Sequence, residues 1–235
     1  MPTSTNICYV AEPKHVREVS LIGASDFGFW FDYLRAEGLS PVRCGDAAQV
    51  VVVAAEMSYL GVRITEVSFS VRVAPTEDFS QEGMRLLHAF SSNRVFAWCE
   101  RAIFATPYTC ADCQVSVQNP VWLNVRAKGG SVFRAEMSPL ARPAVRAVDE
   151  TWEGPVFLPA RRAADDNRLF FARLRGHTVV YPFLSGDDVS LDGSTGGGVL
   201  RLLLDSGFSA KEWVVRADAT HGKSKTSRRA DVSAP

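Results

Sequence analysis

Residues 62–73 read VRITEVSFSVRV, and this run restricts the fold more than any other stretch of the chain. Val62, Ile64, Val67, Phe69, Val71 and Val73 nearly alternate with Arg63, Thr65, Glu66, Ser68, Ser70 and Arg72. A period of two sends successive side chains to opposite faces of a pleated strand. The parity slips at Thr65–Glu66, which predicts a bulge that re-aims Glu66. Just upstream, Gln49–Ala55 (QVVVVAA) is a short, continuous, β-branched apolar run, the pattern of a strand covered on both faces.

Similar signals recur along the chain. Val16–Ala24 and Glu212–Ala217 read as strands, and Pro120–Ala127 with Ser131–Met137 reads as a hairpin around Lys128-Gly129-Gly130. Arg168–Leu174 and His177–Phe183 read as a second hairpin around Arg175-Gly176. Three helices are predicted. The first is capped at Ser25 or Asp26, carries Phe27, Trp30, Phe31 and Leu34 at helical spacing and stops at Gly38. The second covers Ser80–Ser91, with Gly83 where a capping box would want Glu and His88 as a packing residue. The third follows the glycine linker Gly193–Gly198.

Strands without strict βαβα alternation predict a mainly β (α+β) protein. We expect a single antiparallel β-domain over 16–217, closed or nearly closed around an interior, with a few peripheral helices. Residues 1–15 read as a flexible start and 218–235 as a disordered polar tail.

Several function classes are excluded at this stage. The 26 basic residues balance the 26 acidic ones, so no global field draws the chain to nucleic acid or an anionic membrane. No apolar run reaches bilayer length, and the start lacks an export signal, so a cytoplasmic protein is expected. Five cysteines, an odd number, argue for reduced thiols. Cys110-Ala111-Asp112-Cys113 lacks a second pair for zinc and runs into a strand, so packing is the reading there, with no metal. The glycine run before the last helix lacks the Gly-Lys-Ser/Thr ending of a phosphate loop, and no cofactor is expected.

The stretch from Asn93 to Val117 carries the chemistry. It reads as a hydrophobic strand, then Arg101, Pro107 and an alternating strand. Phe96–Val117 (FAWCERAIFATPYTCADCQVSV) resembles the acetoacetate decarboxylase superfamily. That family places an Arg-Glu pair, a short apolar run, a glycine and an aromatic before Pro-Lys-Lys. Arg101 falls on the arginine, Ala105 on the glycine and Pro107 on the proline. Leu34–Val42 resembles the loop after the family's first helix. Met57–Val71 resembles the strand whose glutamate, here Glu66, faces the pocket. The resemblance spans residues 30–137 and implies the family's fold and a homo-oligomer.

The departures limit what else it implies. Tyr108 and Thr109 replace the lysine pair, and Ala102 replaces the glutamate. An imine needs a primary amine of depressed pKa, and tyrosine supplies none. Lys14, Lys128, Lys211, Lys223 and Lys225 fall in expected turns, ends or the tail.

A site remains if Tyr108, Arg101 and Glu66 meet. Arginine holds a carboxylate by two parallel hydrogen bonds, buried tyrosine donates to an oxyanion, and desolvated glutamate acts as base. That trio suits a lysine-independent lyase, cyclase or hydratase acting on a small keto acid or polyketide-like carbonyl compound, as in secondary metabolism. Arg101, Thr109, Trp98 and Phe104 would bind the substrate. The alternative is a non-catalytic binding or structural relative, its interior open to a small organic acid or closed by Trp98, Phe104 and Trp122.

Overall fold

The computed structural model describes residues 7–79, 81–127, 130–159, 167–193 and 198–229. The expected turn at Lys128-Gly129, the Ser80 cap and most of the glycine linker lie outside them. No helix of the described residues is long and apolar enough to cross a membrane.

Chain order begins with β1 (Tyr9–Ala11), β2 (Val16–Ser25) and α1 (Phe27–Leu34), whose Asp26 cap accepts from the Phe29 amide at 2.5 Å. Then come β3 (Leu39–Pro41), β4 (Arg43–Cys44), β5 (Ala47–Tyr59), β6 (Val62–Pro75), β7 (Gly83–Ser91) and α2 (Arg94–Ala102). Next are β8 (Tyr108–Cys110), β9 (Asp112–Ser116), β10 (Trp122–Ala127), β11 (Gly130–Glu136) and β12 (Arg146–Phe157). The remainder is β13 (Arg168–Pro182), β14 (Asp188–Leu191), α3 (Gly198–Asp205), β15 (Ser209–Ser224) and β16 (Ser227–Arg228).

The large sheet runs β15-β2-β5-β6-β7-β12-β13, and a further β13–β15 pairing brings its ends together, so it curls into a near-complete ring. Most pairings are antiparallel, as expected, but the sheet is mixed, because β7 runs parallel to β12 and to β8. A second sheet, β14-β11-β10-β9, packs on the outside.

Alternation explains this two-layer arrangement. Val19 and Leu21 of β2, Val50, Val52 and Ala54 of β5, and Val67, Phe69, Val71 and Val73 of β6 form the main core with Leu123, Val125 and Phe133 of the second sheet. Phe69 meets Phe133 edge-on at 5.2 Å and Phe90 at 6.0 Å. Burying each such ring stabilises the fold by about 2–3 kcal/mol. The opposite parity, Glu18 and Ser20, Val51 and Val53, Glu66, Ser68 and Ser70, faces inward.

Four expectations need correction. β6 pairs with β5 without interruption through Ala55↔Glu66 and Glu56↔Thr65, so Thr65 is a small residue on the core parity rather than a bulge. The irregularity lies on the β6–β7 side, between Phe69 and Ser70. The second predicted helix is strand β7. A Cβ on Gly83 would sit 2.2 Å from the Pro155 carbonyl oxygen, so glycine permits the close β7–β12 pairing that continues the ring.

The hairpin at Arg175-Gly176 is the middle of one fifteen-residue strand, β13. Gly176 abuts β15, where a Cβ would lie 3.0 Å from the Asp218 carbonyl oxygen. Finally, residues 218–224 are no loose tail but the second half of β15, paired with β13 and, at Tyr9↔Ser224, with β1.

His88 lies on β7, its Nε2 2.9 Å from Thr109 Oγ1 and its ring edge-on to Phe90. Burial pulls its pKa from 6.5 to about 4. Protonation therefore favours unfolding: this stability is whole above pH 6.5 and is lost as pH falls towards 4. His88→Gln, which keeps a partner for Thr109, should flatten the decline of unfolding free energy between pH 6.5 and 4. The wild type should lose up to about 3 kcal/mol more than the variant over that interval in urea titrations. Parallel pH profiles would refute this origin.

Candidate active site

Inside the ring is a cavity of about 660 Å³. That volume suits a small organic molecule. Strands β2, β5, β6, β7, β12, β13 and β15 all contribute to its wall, together with α2 and β8.

Two of the three expected residues meet there. Glu66 comes from the inward parity of β6, and Tyr108 opens β8 beside β7. The Tyr108 hydroxyl donates to Glu66 Oε2 at 2.9 Å. Burial and the nearby Glu100 raise the Glu66 pKa, opposed by the Tyr108 hydrogen bond, His221 and Lys223. Burial, Glu66 and Glu100 push Tyr108 well above its usual 10, so the phenol keeps its proton. The ring of Phe96 stands edge-on to Tyr108, centroids 5.8 Å apart.

Arg101 does not join them. The stretch read as a strand is helix α2, capped by the Asn93 side chain, which accepts from the Phe96 amide at 2.9 Å. Adjacent helical residues diverge by about 100° around the axis. Ala97 and Glu100 are buried, which leaves Arg101 exposed. Trp98 is also exposed, at 58%. Thr109 turns to His88. Phe104 lies beside the site, its ring 4.6 Å from Lys223 Nζ. Among the described residues lining the cavity, none of Arg101, Trp98, Thr109 and Phe104 is found. Ala105 has φ 60°, the left-handed region in which glycine is least strained, at the position the resemblance gave to a glycine.

Further ionisable residues not singled out as site residues line the cavity, among them Glu18, Glu100, Arg216, His221 and Lys223. Glu100 of α2 accepts from the Thr106 hydroxyl at 2.7 Å and pairs with Lys223 of β15. Lys223 Nζ also lies 4.7 Å from the Phe170 ring centroid, so its ammonium is sandwiched by two aromatic faces. Glu18, from β2, bonds Arg216 and His221 of β15. The sequence signal was the alternation Thr220-His221-Gly222-Lys223, which a polar end masks. Cys110, the last residue of β8, is exposed, and Cys113 of β9 is buried. Among the described residues no group of three or more His, Cys, Asp and Glu is arranged to hold a metal.

No protein-family model and no curated protein matches the sequence. Solved structures do match. The enduracididine biosynthesis enzyme MppR with HEPES buffer bound aligns at TM-score 0.64 and 10% identity, over 96% of this chain and 90% of that one. Acetoacetate decarboxylase from Legionella pneumophila aligns at 0.61 and 14%, over 97% and 92%. An acetoacetate decarboxylase-like enzyme from Sphingomonas wittichii aligns at 0.59 and 12%, over 92% and 91%. A further MppR structure holds pyruvate. The chain has the acetoacetate decarboxylase-like fold that the sequence resemblance implied.

Proposed function

We propose that this chain is an enzyme of lyase, cyclase or hydratase type that works on a small keto acid or related carbonyl compound, without a covalent lysine adduct. The observation that carries the reading is the Tyr108–Glu66 hydrogen bond inside the cavity. A phenol that keeps its proton donates to a carbonyl oxygen as negative charge develops on it. Glu66, released from the phenol, is then a desolvated carboxylate able to accept a proton. The pyruvate held by an MppR structure of the same fold supports the keto-acid class.

Lys223 takes the part first expected of Arg101. It pairs with Glu100 and lies between the rings of Phe104 and Phe170. An ammonium holds a substrate carboxylate as a point charge. A second reading follows from the place of Lys223 on the cavity wall: attack by its amine on the carbonyl would give an imine.

The test is incubation with pyruvate and with acetoacetate, followed by NMR, with and without borohydride. We expect a substrate to be consumed and no reduced adduct to form. Mass added at Lys223 after borohydride would replace acid–base chemistry with the imine. Saturable binding of an unchanged ligand would make this a binding protein.

A further inference from the structure

A second proton-handling device faces the same cavity. The Glu18 side chain is fully buried on β2. Its Oε1 accepts from the Ser20 hydroxyl at 2.7 Å and from Arg216 Nη1 at 2.5 Å, and its Oε2 lies 2.7 Å from His221 Nε2. Arg216 is itself committed, with Nε on Thr178 Oγ1 at 2.8 Å and Nη2 3.4 Å from Glu150. Burial alone would raise the Glu18 pKa, but His221, Arg216 and Ser20 together hold it at about 2.

An ionised carboxylate only accepts, so Nε2 of His221 must carry the hydrogen. In the neutral ring the lone pair then sits on Nδ1. His221 lines the cavity and precedes Lys223 by two residues on the same strand face. A carboxylate that fixes an imidazole's tautomer and orientation is how proteins make a histidine a proton acceptor.

We propose that Glu18 and His221 form a proton-transfer dyad, with His221 a catalytic residue and Glu18 its positioning residue, acting on carbonyl acids that bear a hydrogen on the carbon next to the carbonyl. The dyad rests on the reading of the cavity given above. In the step, His221 Nδ1 takes the α-proton. The C–H bond breaks, its electron pair becomes the C=C bond of the enolate, and the carbonyl π pair moves to oxygen. The Tyr108 hydroxyl donates to that oxygen, while Lys223 holds the substrate carboxylate. Return of a proton from the imidazolium to carbon closes the cycle, with nothing oxidised or reduced. Two stations, Glu66–Tyr108 and Glu18–His221, allow a proton to leave one atom of the substrate and arrive at another.

The experiment follows exchange of the methyl protons of pyruvate, and the methylene protons of acetoacetate, in D₂O by proton NMR, beside calorimetric binding of the same acids. The wild type should exchange them above the buffer rate. His221→Gln, whose amide can still donate to Glu18, should lose about 100-fold or more while binding stays within a few-fold. Unaltered exchange by His221→Gln, with loss in Glu66→Gln or Tyr108→Phe, would overturn the dyad and leave the cavity reading standing. Binding without exchange in the wild type would also overturn the dyad alone. Neither binding nor exchange would overturn both. Nitrogen-15 NMR of the wild-type histidines at pH 8 is independent of any variant. It should show His221 with hydrogen on Nε2, and hydrogen on Nδ1 would sink the proposal.

Discussion

Tyr108→Phe is expected to leave the fold intact and to lower turnover by something like 10²–10⁴, the usual weight of one proton-transfer or oxyanion-binding group. The ring stays, with its edge-on contact to Phe96, and only the hydroxyl that donates to Glu66 goes. Two effects then coincide. The substrate oxygen loses its donor, and Glu66 loses the hydrogen bond that lowers its pKa, while burial and Glu100 still raise it. The acid limb of the pH–rate profile should therefore move to higher pH in the variant, because a carboxylate base must be ionised. Steady-state kinetics on whichever keto acid is consumed would show this as a fall in kcat with KM little changed. A fall confined to KM would make Tyr108 a binding residue, and unchanged kinetics would remove it from the chemistry.

The largest effect on stability should come from a residue remote from any reaction. Asp187 stands after β13, and its side chain is fully buried with that of Arg142. Its carboxylate accepts from Arg142 Nη2 at 2.5 Å, from the amides of Ser138 and Leu184 at 2.8 and 2.9 Å, and from Trp213 Nε1 at 2.9 Å. Removing one partner of a buried ion pair strands the other charge, at a cost of about 3–5 kcal/mol. Asp187→Ala should thus lower the melting temperature by roughly 10 °C, given the usual sensitivity of a domain this size. The carboxyl pKa falls from 3.8 to about 2, the hydrogen bonds outweighing the burial that would raise it. This share of stability is whole above pH 4 and is lost as pH falls towards 2, amounting to roughly 2 kcal/mol. Calorimetry of wild type and variant at pH 7 and pH 3 tests both statements, and a variant that melts with the wild type at pH 7 would refute them.

How much of this was legible depended on whether a face touched apolar atoms. The odd positions of β6 were readable because Val67, Phe69 and Val71 meet the second sheet. Glu66 and Tyr108 were placed through their spacing from residues that resemble a known pattern. The inward face was not readable as such. Ser68, Ser70 and Arg72 line the cavity inside the ring, yet a polar alternation reads the same whether water lies outside the protein or inside it. His221 and Lys223 were missed for that reason, inside a segment whose composition suggests a solvated end. Arg101 was misplaced because apolar residues at 95–99 fit a buried strand and a helix alike, and the Asn93 cap settled the matter in favour of α2. Gly176 marks close contact of two strands rather than a turn, and a lone glycine signals both.

Strand β15 sits between β2 and β13, and it follows every other strand of the ring in chain order. A ribosome therefore delivers β2 nearly two hundred residues before its neighbour, with Glu212 pairing Ile22 and Val214 pairing Ser20. Until then one edge of β2 has no partner, and Glu18 has neither Arg216 nor His221 to justify its burial. Such distant pairing slows folding and lengthens the time an open edge can find the wrong neighbour. Synthesis of this chain should accordingly be sensitive to chaperone supply, and its cavity should acquire Arg216, His221 and Lys223 in the same event that completes the wall.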